Sequence, residues 1–137
     1  MRQSVRITHE ACYAVVAHAR RERGQECCGL LAGRGGVITT VFPAKNALAS
    51  ATAYEIAPAE LFRMFHQMRE LGLDHLGIYH SHPASENAPS PTDIERAYYP
   101  DVAYVIVSPR EDSPRPVRAF SIRDEGVAEL EVESVKS

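Results

Sequence analysis

Leu76-Gly77-Ile78-Tyr79-His80-Ser81-His82-Pro83 is the stretch on which the reading of this chain turns. Residues 76–79 read as a buried strand that runs straight into two histidines. Side chains alternate along an extended backbone, so His80 and His82, at i and i+2, project from one face. Two imidazoles on one face can share a metal ion. A catalytic zinc site takes three protein ligands and keeps a fourth position for water, so one more ligand is needed. Asp93 is the best-placed candidate, 93 − 82 = 11 positions after His82 at the start of a short predicted helix. Each residue also has an ordinary reading. A bare His-x-His pair is more often a surface or core feature. Ser90 suits an N-cap, Pro91 the first helical position, and Asp93 the third, where a carboxylate favours the helix dipole. The conjunction raises the metal reading: a buried strand ends at the first histidine, a proline follows the second, and a capped helix then presents an acid.

Working outward, the pattern predicts a helix over 8–23, with Thr8 as N-cap, Cys12, Val15, Val16 and Ala19 on one face, and Gly24 as the stop. Residues 26–32 read as a buried strand and 37–42 as its hairpin partner across Gly33-Arg34-Gly35-Gly36. Residues 43–52 read as a loop and 54–57 as a short strand. A second helix spans 58–71, with Leu61, Phe62, Phe65 and Met68 inward and Gly72 at its end. After the histidines come a loop over 84–89, a helix from 91 to about 98, and a strongly apolar strand over 102–107. Two half-exposed strands, 117–122 and 127–132, turn at Asp124-Glu125-Gly126. This order predicts an α/β fold: a single-domain mixed-sheet sandwich with flanking helices, spanning residues 1–137.

Composition narrows the function. Hydrophobic residues make up 45% and charged residues 24%, ordinary for a globular chain, and the net charge of −3 lacks the basic footprint of a nucleic-acid binder. No stretch approaches the length of apolar sequence that a membrane-spanning helix needs, and no signal peptide is visible. Three cysteines, Cys12, Cys27 and Cys28, form no CxxC pair, which excludes a four-cysteine zinc knuckle and suits reduced thiols in the cytoplasm. Cys28 reads as a small buried residue, and Cys27 has no assigned role. His9, His18, His66 and His75 read as solvated or packed residues.

His80-Ser81-His82-Pro83 followed by Ser90-Pro91-Thr92-Asp93 resembles the JAMM, or MPN+, metalloprotease signature, H-[ST]-H-P, a spacer, then S-x-x-D. The family also carries an upstream glutamate in an E-x-C-G-L-L-x-G-like segment, and Glu26-Cys27-Cys28-Gly29-Leu30-Leu31-Ala32-Gly33 resembles it. The likeness extends to Asn46, the helix after Pro58 and the strand after the motif. It implies the layered JAMM/MPN fold, related to that of cytidine deaminases. It also implies one Zn2+ per chain held by His80, His82 and Asp93, with Glu26 as general base and Ser90 as oxyanion donor. The implied substrate is a ubiquitin-like or sulfur-carrier protein, cleaved after its C-terminal Gly-Gly tail to release cysteine or trim the tail. The short chain leaves little room for recognition inserts and is most similar to the small stand-alone bacterial members. Glycine lets backbone approach closely, so a narrow groove walled by 43–53 and 84–89 suits such a tail, and an exposed strand edge could pair with it.

Other classes fit less well. Deaminases need H-x-E and P-C-x-x-C, thermolysin-like enzymes need HExxH, and this chain has neither. Removal of a ubiquitin-like modifier from lysine is the alternative within the enzyme class, and a non-catalytic MPN scaffold is the alternative outside it. Retention of all three ligands and Glu26 favours catalysis.

Overall fold

The structure is a computed structural model and describes residues 4–136. The elements run β1 (Ser4–Thr8), α1 (His9–Arg21), β2 (Cys28–Arg34), β3 (Val37–Ala44), α2 (Pro58–Leu71) and β4 (Asp74–Ser81). There follow α3 (Pro91–Glu95), β5 (Ala103–Val107), β6 (Val117–Arg123) and β7 (Gly126–Val135). The mixed α/β class with flanking helices is what the structure has, but the sheet closes on itself. Strand order is β1-β3-β2-β4-β5-β6-β7, and β7 returns to pair in parallel with β1, Val5 opposite Val132.

Thr8 starts α1 by accepting the Ala11 N–H at 3.2 Å, and Gly72, in the left-handed region at φ 68°, ends α2. The curled sheet wraps around α1, which packs against β1, β3, β4, β5 and β7. Ala11, Val15 and Ala19 of α1 are buried with Ile7, Leu31, Tyr79, Val105 and Val107. The other face of the sheet carries Leu30, Ile78, Tyr104 and Ile106, covered by Met64 and Met68 of α2. Both faces of β2 are thus covered, so its residues from Cys28 to Gly33 are buried without alternation.

Tyr79 explains a glycine. Gly29 lies opposite it on β2, and a Cβ there would meet the Tyr79 Cε1 and the Phe42 carbonyl oxygen at 2.5 Å each. The ring occupies that space, and its hydroxyl bonds His18 Nδ1 of α1 at 2.7 Å. His18 Nε2 in turn lies 3.0 Å from Glu22 Oε2. α1 and β4 are therefore tied together one residue before the first motif histidine.

Several expectations are corrected. β1 has no counterpart among the expected elements: five residues, Ser-Val-Arg-Ile-Thr, are too short and mixed to stand out, and pairing with both β3 and β7 makes them a strand. Residues 54–57 form no strand, since they pass over the sheet instead of joining it. Phe62 points outward and is 74% exposed, while Met64 takes the inward place. α3 stops at Glu95, and α1 is capped at Glu22 before Gly24 is reached.

Candidate metal centre

Sheet register places the motif. Cys28 of β2, His80 of β4 and Ile106 of β5 lie side by side, so His80 stands where β4 meets the start of β2 and the end of β5. Ser81 points to the opposite side, and its Oγ accepts the Cys27 N–H at 2.8 Å. His82 leaves the strand with its N–H donated to the Val107 carbonyl at 3.0 Å. The chain then returns through 84–89, pinned by buried Asn87, whose Nδ2 donates to the carbonyls of Ile106 at 3.2 Å and Arg115 at 2.9 Å.

α3 follows that anchored loop. Ser90 Oγ accepts the Asp93 N–H at 3.1 Å, and Asp93 Oδ2 accepts the Ser90 N–H at 2.9 Å, a full capping box. The ordinary capping role of both residues is present, and it aims the carboxylate. Asp93 Oδ2 lies 3.0 Å from His82 Nε2 and 3.1 Å from His80 Nε2, and the two Nε2 atoms are 3.2 Å apart.

This triangle fits a metal ion. His82 Nδ1 donates to the Glu86 carbonyl at 2.7 Å, which fixes the tautomer and leaves Nε2 a lone pair. Ligands about 2.0–2.1 Å from a tetrahedral ion lie roughly 3.3 Å from one another, close to the separations here. Two imidazole nitrogens and one carboxylate oxygen, all but sealed from solvent, form a donor set suited to a divalent transition metal. His80 lacks the orienting bond that His82 has: its Nδ1 is buried with no hydrogen-bond partner among the described residues. Its ring is stacked instead on Tyr54, centroids 4.5 Å apart and planes within 23°.

Glu26 faces the triangle from just before β2. Its Oε2 is 4.0 Å from His82 Nε2, its Oε1 has no hydrogen-bond partner among the described residues, and the residue is 3% exposed. Its backbone is held on both sides: the N–H donates to the Ser50 carbonyl at 2.8 Å, and its carbonyl accepts from Asn46 Nδ2 at 3.0 Å. Asn46, 1% exposed, also donates to the Ala53 carbonyl at 2.9 Å and accepts the N–H groups of Leu48 and Glu55 at 3.0 and 3.2 Å.

The electrostatics separate the two acids. Burial pushes the Glu26 carboxyl up to about 7, eased by His82 and reinforced by the charge of Asp93. Burial also acts to raise Asp93, but its close contacts with the His80 and His82 imidazoles, with the Ser90 N–H, hold it well below the usual carboxylate range. Burial drives the His80 imidazole down. The Cys27 and Cys28 thiols are pushed up to about 11 and 12, mainly by burial, and both are free, packed into different core layers.

The structure thus brings Glu26, His80, His82, Ser90 and Asp93 together. Tyr54, Ser81 and Asn87 carry no role legible in the sequence, and Asn46 stands out there only as part of a likeness. A single asparagine in a small polar loop reads as a turn residue, and nothing in the pattern around Tyr54 announces a ring stacked on a histidine.

A mixed sheet curled around one helix, with a His-His-Asp donor set that could hold a metal at the end of β4 and a buried carboxylate opposite, defines a class of α/β domain. The family model described as prokaryotic homologs of the JAB domain matches residues 9–123. The chain belongs to that family, as a small prokaryotic JAMM/MPN protein. It is 38% identical over 125 residues to the CysO-cysteine peptidase of Mycobacterium tuberculosis, covering 90% of this chain and 86% of the relative. It is 38% identical over 110 residues to the desampylase of Haloferax volcanii, covering 75% and 79%. A protein from Desulfitobacterium hafniense, solved in solution, superposes with a TM-score of 0.84 at 32% identity, covering 97% of this chain and 94% of its own.

Proposed function

We propose that this chain is a zinc-dependent peptidase or isopeptidase, with one Zn2+ per chain, that hydrolyses the bond after the C-terminal Gly-Gly tail of a ubiquitin-like or sulfur-carrier protein. The observation that carries the reading is a buried glutamate 4.0 Å from a converged His-His-Asp donor set. Similarity to a CysO-cysteine peptidase and a desampylase supports this substrate class. The reading takes 1–137 as one domain, supported by the pairing of β1 with β7, and the cytoplasm as its setting, supported by three free cysteines.

In this reading His80, His82 and Asp93 hold the metal. Zinc bound there supplies Lewis acidity, lowering the pKa of water towards about 7 and polarising the scissile carbonyl. Glu26 takes the proton from the attacking water at its unpartnered Oε1 and delivers it to the leaving amine. A carboxyl pushed up to about 7 suits a group that must both accept and return a proton near neutral pH. Ser90 Oγ spends a lone pair on the Asp93 N–H and keeps its proton, which it donates to the developing oxyanion. Asn46 holds the Glu26 backbone, and the Glu86 carbonyl holds His82 in its metal-binding tautomer.

The test is mass analysis of a sulfur-carrier–cysteine conjugate and a lysine-isopeptide conjugate after incubation with zinc-loaded protein. Cleavage at the Gly-Gly carbonyl is expected, lost on chelation and restored by zinc. Glu26→Gln is expected to keep its zinc and to slow turnover by roughly 10²–10⁴-fold. Turnover that survives both Glu26→Gln and chelation overturns the mechanism.

A further inference from the structure

Beside the metal centre lies a second cavity of about 350 Å³, between the start of α2 and the chain that follows α3. Its floor is Leu30, Ile78 and Tyr104, one residue from each of β2, β4 and β5, in register with one another. The next row along the same face is Cys28, His80 and Ile106. The two rows are two residues apart on each strand, which is roughly 6.7 Å. Tyr54 stands at their boundary, stacked on His80 and also lining the cavity.

An extended substrate has the same repeat. Its side chains return to one face every second residue, again at roughly 6.7 Å. A substrate with its scissile carbonyl over the His80 row therefore presents the side chain two residues further back to the Leu30–Ile78–Tyr104 row. When the last two residues are glycines, that is the first side chain the substrate has. We propose that this cavity is the specificity pocket for the residue immediately preceding the Gly-Gly pair, and that it takes a large uncharged side chain such as leucine, methionine or phenylalanine. The walls favour this class: Pro58, Leu61 and Tyr98 are apolar or aromatic, and the two charged groups, Glu55 and Arg96, are opposite in sign. Leu61 is half-buried and Tyr98 is 74% exposed, so both are accessible to a ligand. The proposal rests on the reading that the substrate ends in a glycine tail, and it names the feature by which that tail is selected.

The probes are acetyl-Leu-Gly-Gly, acetyl-Gly-Gly-Gly, acetyl-Asp-Gly-Gly and acetyl-Arg-Gly-Gly, titrated into zinc-loaded, 15N-labelled protein and followed by NMR. Acetyl-Leu-Gly-Gly is expected to bind about tenfold or more tightly than acetyl-Gly-Gly-Gly, from burial of one leucine side chain, and to shift the amides of Leu61 and Tyr98. Tyr98→Ala, at an exposed position, is expected to erase about half of that advantage on a logarithmic scale while its melting temperature stays that of the parent. Equal affinity for leucine and glycine, preference for arginine, or a leucine advantage untouched by Tyr98→Ala and Leu61→Ala alike overturns the pocket. Cleavage of the same peptides extended by cysteine separates the two readings. A leucine advantage in binding without any cleavage sustains the pocket and counts against the hydrolase, whereas cleavage without a leucine advantage overturns the pocket alone.

Discussion

Asn46→Ala is predicted to unlock Glu26 and to cost much of the domain's stability. The amide of Asn46 donates to the Glu26 and Ala53 carbonyls at 3.0 and 2.9 Å and accepts from Leu48 and Glu55 N–H groups at 3.0 and 3.2 Å. Alanine removes these four and a longer fifth, from Nδ2 to the Ser50 carbonyl at 3.4 Å. A net hydrogen bond contributes about 1 kcal/mol, and a buried group left unpaired costs about 1–3 kcal/mol. The Glu26 carbonyl is the fully buried member, and water can reach some of the others, so a loss of about 2–4 kcal/mol follows. That is a large part of the roughly 5–15 kcal/mol that holds a domain together. Urea unfolding at neutral pH should show the midpoint falling by about 1–2 M with the slope unchanged. Asn46→Asp is the sharper control. It keeps an oxygen for the Leu48 and Glu55 N–H groups but turns a second oxygen towards the Glu26 and Ala53 carbonyls, so it should be no more stable than alanine. An alanine variant within about 1 kcal/mol of the parent, or an aspartate variant as stable as the parent, refutes the reasoning.

Tyr54→Ala is expected to weaken zinc binding by roughly 10–100-fold in a chelator competition, because stacking is the contact that orients His80, while Tyr54→Phe should bind as the parent does. In the metal-free protein, the part of the stability that Glu26 contributes should fall as pH rises, against an opposite slope from buried His80. Glu26 has a folded pKa near 7, above its ordinary value, so its contribution is complete below about 4.5 and disappears as pH passes 7. Glu26→Gln should remove that slope, and parallel pH–stability curves for the two proteins would contradict the assignment. Cys27 and Cys28, buried and with raised pKa values, should resist iodoacetamide at pH 7.5 until the protein is unfolded, as read by peptide mass. Rapid labelling of either in the native state would contradict their placement.

Legibility in the sequence followed from how local each feature is. His80 and His82 share a face because a strand has period two, and Asp93 is aimed by a capping box written within four residues. Both can be read from neighbours in the chain. Glu26 is different: its carboxylate reaches the histidines only because β2 and β4 pair in a register that no local pattern contains, and a family likeness was needed to single it out. Tyr54 and Asn46 act across the fold, on His80 and on the loop around Glu26, and neither carries a periodic signal. β1 is illegible for the same reason, since its strand character comes from two partners distant in sequence. Helical periodicity alone puts Phe62 inside, but the inward stripe of α2 runs through Met64 and Met68.

The central claim is that His80, His82 and Asp93 form one metal centre facing Glu26. Anomalous diffraction at the zinc edge, from crystals grown with zinc, tests it most directly. The account predicts one strong peak per chain, bonded to His80 Nε2, His82 Nε2 and Asp93 Oδ2, with Glu26 across from it. An empty triangle, or zinc bound only at other residues, would contradict it.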